Sequence, residues 1–192
     1  MRNKSSISLQ RNKGFSLIEL MVVVAVISLL AAGVNFVRIQ LLGTTDTEKF
    51  VNEESTTTEE TRALWKEQQP DYTGVTTVEL IDLGFVDASK VSGSGATRVI
   101  KNPWGGETAY ASFDLDGNAD SAIEGNSGNV PKDACVDIVK KFSSRFNAVH
   151  VGTSQPTTTF NVKDTASGLI QVTTIRAACA SENNNRIWWY QI

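Results

Sequence analysis

The chain has 192 residues, with 18 Lys or Arg against 21 Asp or Glu, a formal charge of −3, two cysteines and one histidine. That length suits one domain with an appendage, and the acidic balance argues against nucleic acid, whose phosphates demand a basic face. Cys135, Cys179 and the lone His150 show no metal-ligand spacing, so a zinc-type site is not expected.

The first residues are polar and basic. Arg2, Lys4, Arg11 and Lys13 precede Gly14 with no Asp or Glu among them, so residues 1–14 read as a processing segment rather than a packing element. Leu20 to Val37 then carries no charge, and as a helix it would reach about 27 Å, close to a bilayer core. Ser28, Gly33 and Asn35 are its weak points, and Arg38 closes it. Basic residues before the run and few after it place the N-terminus in the cytoplasm. Ala31-Ala32-Gly33 also offers a conventional signal-peptidase site, which would release a secreted binding module. That alternative leaves Glu19 unexplained. A carboxylate at the edge of a spanning segment costs a few kcal/mol unless it finds a partner or snorkels to the headgroups.

Gly14-Phe15-Ser16-Leu17-Ile18-Glu19 resembles the prepilin cleavage motif of bacterial type IV pilins and type II secretion pseudopilins. The resemblance implies cleavage between Gly14 and Phe15 by a prepilin peptidase and N-methylation of the new Phe15 amine. It implies that the apolar segment stays on the mature subunit. Glu19 would then pair with the N-terminal amine of a neighbouring copy, a pairing that gains strength in a low-dielectric bundle.

From Thr44 to Gln69 no Gly or Pro interrupts the chain, and Pro70 makes a natural stop, so a second helical half is expected over Asp46–Gln69, with a linker as the alternative. Ser55-Thr56-Thr57-Thr58 is its poorest stretch for helix propensity. Thr76 to Val86 reads as a short helix capped by Thr76 or Thr77 and ended by Gly84. Ser89 to Thr97 reads as a flexible loop.

Asn102-Pro103-Trp104-Gly105-Gly106 is a turn signal. Ala109, Ala111, Phe113 and Leu115 then alternate with Tyr110, Ser112 and Asp114, the period of a strand with one buried face. The Asn-Pro-Trp-Gly-Gly turn resembles type IVb pilins, and a similar Pro-Trp-Gly turn occurs in major pseudopilins. Asp114, Asp116, Asn118 and Asp120 place oxygens at alternate positions, with Glu124 shortly after. This is part of a calcium-loop pattern, but Ala119 stands where an EF-hand needs glycine, and the other reading is an acidic turn bent at Gly117-Asn118. No other cofactor is suggested.

Pro131 to Phe146 reads as a helix with Cys135, Ile138, Val139, Phe142 and Phe146 on one stripe. Lys140, Lys141 and Arg145 lie off most of that stripe and read as a solvated face, or as contacts to acidic patches on a neighbour. Four β-like runs follow: Ala148–Val151, Thr157–Val162, Leu169–Ile175 and Arg186–Ile192. His150 reads as structural. The bulky last run is expected inside the sheet, because it would fray at an edge.

An even cysteine pair in an exported chain reads first as a disulfide. Here the arrangement resembles the disulfide-bounded C-terminal region of type IV pilins, most like the type IVb branch, and implies a Cys135–Cys179 bond. The fold expected is α+β: a long N-terminal helix packed on an antiparallel sheet with additional short helices. The domains expected are a leader, residues 1–14; an apolar transmembrane and filament-core helix, residues 15–43; and a periplasmic or extracellular head, residues 44–192. No catalytic constellation is present, so no enzyme is expected. The function expected is a structural subunit of a type IV pilus. It would sit in the inner membrane before assembly and outside the cell afterwards, in a homo-oligomeric filament for adhesion, aggregation or conjugation. Its partners would be the prepilin peptidase and the assembly machinery. The alternatives are a type II secretion pseudopilin and the secreted binding module.

Overall fold

A computed structural model describes residues 17–68, 71–156, 160–164 and 172–192, with side chains for all of these except 17, 19, 31–44, 68 and 172. The chain divides into two units, Met1–Leu42 and Gly43–Ile192. Helix α1 is Leu17–Gln68. The expected helix over Asp46–Gln69 is therefore present as far as Gln68. In the first unit its described side chains from Ile18 to Leu30 are exposed on every side.

In the second unit α1 runs through Ser55-Thr56-Thr57-Thr58 because hydroxyls turn back onto the helix. Ser55 Oγ donates to the Val51 carbonyl at 2.6 Å, Thr58 Oγ1 to that of Glu54 at 2.7 Å and Thr61 Oγ1 to that of Thr57 at 2.7 Å. This satisfies residues that otherwise disfavour helix and places hydroxyls among the buried apolar side chains of α1.

Helix α2, Thr77–Asp82, is capped by Thr76, whose hydroxyl accepts from the Glu79 amide at 3.2 Å, and Gly84 follows it at φ +78°. The segment expected as a loop holds structure: β1, Val91–Ser92, pairs with β2, Val99–Lys101, between short 3₁₀ turns. Next come β3, Glu107–Leu115, β4, Asn118–Val130, α3, Lys132–Arg145, β5, Ala148–Gly152, α4, Val172–Ala178, and β6, Asn185–Gln191. The described strands form one antiparallel sheet in the order β1-β2-β3-β4-β6-β5. The final strand thus sits between β4 and β5, as its bulk predicts.

Several expectations are corrected. β4 carries few β-formers and no periodic signal, yet it pairs along both edges, with β3 and with β6. In β3 the face under α1 is Thr108 and Tyr110, not the alanine set. Phe113 and Leu115 join Ala122, Ala148, Phe160, Trp188 and Tyr190 in a second cluster, after a register shift between Phe113 and Leu115. Leu169–Ile175 is not a strand where it is described: Val172–Ala178 is helical, with Ile175 and Cys179 buried one turn apart. A short β-branched run fits either period, and packing decides. Of Thr157–Val162, only Phe160 to Val162 is described and it is not a strand. Neighbouring Lys163 bridges Val149, and Asn161 bonds both the amide and the carbonyl of Val151 through its side chain. These contacts cover the outer edge of β5.

The core lies between α1, α3 and the sheet. Phe50 meets Trp104 edge-on at 5.3 Å and Trp189 at 6.3 Å, while Phe142 lies 4.9 Å from Trp189. The Asn-Pro-Trp-Gly-Gly turn is fastened to β4 by Asn102. Its amide donates to Ser127 Oγ at 2.9 Å and to the Gly128 carbonyl at 2.7 Å, while its Oδ1 accepts from the Gly106 amide at 2.8 Å. A Cβ at Gly106 would lie 2.1 Å from the Gly128 carbonyl oxygen, so only glycine fits.

Candidate functional site

The expected cleavage residues Gly14 and Phe15 lie outside the described residues, as does the side chain of Glu19. What is described is the helix that follows. Ile18 is 70% exposed and Leu29 74%, and the residues between them show no dry face. A helix apolar all round finds its stable environment in lipid or among like helices. Among the described residues no helix is long and apolar enough to cross a membrane. The run Leu20–Val37 passes beyond Leu30, where the described side chains stop.

The second feature is the disulfide. Cys135, buried on the α3 stripe, bonds Cys179, just after α4, with the Cα atoms 5.8 Å apart. The five stripe residues are buried, and Pro131 precedes the first helical residue. The basic face of α3 is not simply solvated. Lys141 pairs with Glu48, and Arg145 donates to Ser55 Oγ at 2.9 Å and Asn52 Oδ1 at 3.0 Å, so both tie α3 to α1. Lys140 reaches Asp137 on its own helix at 3.6 Å.

The acidic set lies on a hairpin. Asp116-Gly117 forms the two-residue bend, with φ of +54° and +80°, and Leu115 pairs with Asn118. The bend is therefore one residue earlier than expected. Asp114 Oδ1 accepts from the Asp120 amide at 2.8 Å, and Asp120 Oδ2 accepts from Thr73 Oγ1 at 3.0 Å. Among the described residues no three His, Cys, Asp or Glu side chains are placed to hold a metal ion. Glu124 is turned elsewhere: buried, it accepts from Gln155 Nε2 at 2.6 Å, and burial raises its pKa. His150 stands on β5 with its ring 5.6 Å from Trp188. Its Nδ1 accepts from the Asn161 amide at 3.4 Å, and burial lowers its pKa.

One buried site was missed. Glu54 on α1 is only 7% exposed, and its carboxyl accepts from the Tyr110 hydroxyl. Burial pushes the Glu54 pKa up to about 7. A groove of about 410 Å³ opens beside them, between α1 and the segment Gly84–Lys90. A signal was present. Phe50, Glu54, Thr57, Thr58 and Thr61 recur at three and four, so a carboxylate shares a face with core residues.

A helix with an exposed apolar start, a head built on an antiparallel sheet, and a disulfide closing its C-terminal part define a type IV pilin-like protein. The family described as PilS N terminal matches residues 44–191, and the chain belongs to that family. Residues 9–35 match the prokaryotic N-terminal methylation motif. Two solved structures share the fold. A type IV b pilin from Salmonella typhi has a TM-score of 0.54 at 16% identity, over 72% of this chain and 95% of that one. TcpA, a type IV pilin from Vibrio cholerae El Tor biotype, has a TM-score of 0.52 at 16% identity, over 79% of this chain and 99% of the other. No curated protein matches the sequence significantly.

Proposed function

We propose that this chain is a structural subunit of a type IV pilus. The observation that carries the reading is the apolar surface from Ile18 to Leu30, which the chain itself leaves exposed. Lipid covers it in the inner membrane before assembly, and the helices of other copies cover it in the filament. A prepilin peptidase cuts between Gly14 and Phe15 and the Phe15 amine is methylated, in keeping with the matched motif. Glu19 then pairs with that amine on a neighbouring copy, and the heads form the fibre surface for adhesion, aggregation or conjugation. Sequencing the mature N-terminus should find methylated Phe15; a chain beginning at Val34 would overturn the reading.

Glu19→Val subunits should be cut normally yet fall out of sheared fibres. The partnerless amine left in an apolar bundle costs about 3–5 kcal/mol per contact. Electron microscopy of those preparations reads the result. Equal fibre yield from wild type and variant would remove the pairing from the scheme, and the absence of long surface fibres from wild type would point to a pseudopilus.

A further inference from the structure

The groove beside α1 has a buried acid in its floor. Glu54 holds its carboxyl against Tyr110 of β3, buried beneath the segment that joins α2 to β1. The charged groups around it are Glu53 and Glu60 on α1, and Asp87 and Lys90 on the joining segment; Ile100 of β2 adds no charge. The nearest cation is already committed, because Lys90 Nζ pairs with Glu53. Asp87 is held as a carboxylate by its bond from the Ser89 amide. An ionised Glu54 would therefore be a buried anion whose one nearby cation, Lys90, is shared with Glu53, and burial outweighs the help that Lys90 and the Tyr110 hydroxyl give the charged form. A buried charge is tolerated when it is paired and is otherwise neutralised or hydrated.

Only slender ties close the groove over it. Thr57 Oγ1 donates to the Phe85 carbonyl at 3.2 Å, and the Lys90–Glu53 pair sits at the far end, with Phe85 and Val86 packed only partly into the core. We propose that Glu54 is a proton-operated latch: protonated, it keeps the segment Gly84–Lys90 seated on α1; ionised, it draws water into the groove and loosens that segment.

This goes beyond the pilus reading and does not depend on assembly. The direction follows from where the proton is held. The folded carboxyl keeps its proton up to about pH 7, whereas the unfolded one loses it near 4.5. Between those values the folded chain binds more protons, so stability falls as pH rises and the loss is complete above 7. The difference amounts to about 300-fold in the folding equilibrium.

The test is denaturant unfolding of the full chain in detergent micelles between pH 4 and 8, followed by tryptophan fluorescence. Wild type should lose about 300-fold in its folding equilibrium relative to Glu54→Gln across that range. Tyr110→Phe, which removes the hydroxyl that favours the ionised form, should move the transition to higher pH. Amide exchange from Phe85 to Lys90, corrected for its intrinsic pH dependence, should quicken with rising pH in wild type and not in Glu54→Gln. A Glu54→Gln profile that parallels wild type would overturn the proposal. Should Glu54→Gln not fold, the carboxyl carbon resonance of Glu54 in wild type decides: a midpoint near pH 7 supports the latch and one between 4 and 5 refutes it.

Discussion

Gly125→Ala is expected to destabilise the head by about 3 kcal/mol, the upper end for overpacking a core. A Cβ at this position would stand 2.2 Å from Trp189 Cε2 and 2.4 Å from its Cζ2 and Nε1. Neither side can yield. Gly125 is paired across the ladder to Trp189 on one side and to Tyr110 on the other. The indole is fully buried, lies 4.9 Å from the Phe142 ring and 6.0 Å from the Tyr110 ring, and donates from Nε1 to Thr58 Oγ1 at 3.3 Å. Displacing it would break the contact that seats α1 on the sheet. The measurement is a double-mutant cycle in denaturant with Trp189→Leu. On that background the Gly125→Ala cost should fall below about 1 kcal/mol, because the clashing ring is gone. An equal cost on both backgrounds would show that the ring is not the cause.

Removing the disulfide should be costlier. The pair Cys135→Ala and Cys179→Ala opens a loop of 44 residues, and the chain-entropy relation assigns that loop about 4 kcal/mol. Alanine is the right replacement because both cysteines are fully buried and serine would add an unpaired hydroxyl. The loop contains β5 at the end of the sheet and the seven-residue α4, too short to persist without its anchor. Against a total stability of about 5–15 kcal/mol for an ordinary domain, this loss leaves little margin. Unfolding midpoints with and without reductant should separate strongly in wild type and coincide in the alanine pair. A wild-type midpoint indifferent to reductant would contradict the assigned role.

The sequence by itself determined the elements whose signals are local. The basic tail, the uncharged run and Glu19 stand in one short stretch, so that stretch is legible without any fold. The α3 stripe is legible because its buried residues recur at helical spacing, and the Thr76 cap because it needs only its own turn. The Trp188–Tyr190 strand announces its burial by bulk. Tertiary structure alone decided features whose cause lies elsewhere in the chain. β4 is a strand because β3 and β6 claim its backbone on both sides. Its Gly125, a poor strand residue, is there to make room for Trp189, more than sixty residues later. α4 is helical because Ile175 and Cys179, one turn apart, are both drawn into the core. Glu54, charged in sequence, lies in the core because the face it shares with Phe50 and Thr58 is the one that meets Tyr110 and Trp189. Periodicity reports which side of an element is apolar. Whether a polar residue on that side is buried depends on the partner that folding brings to it.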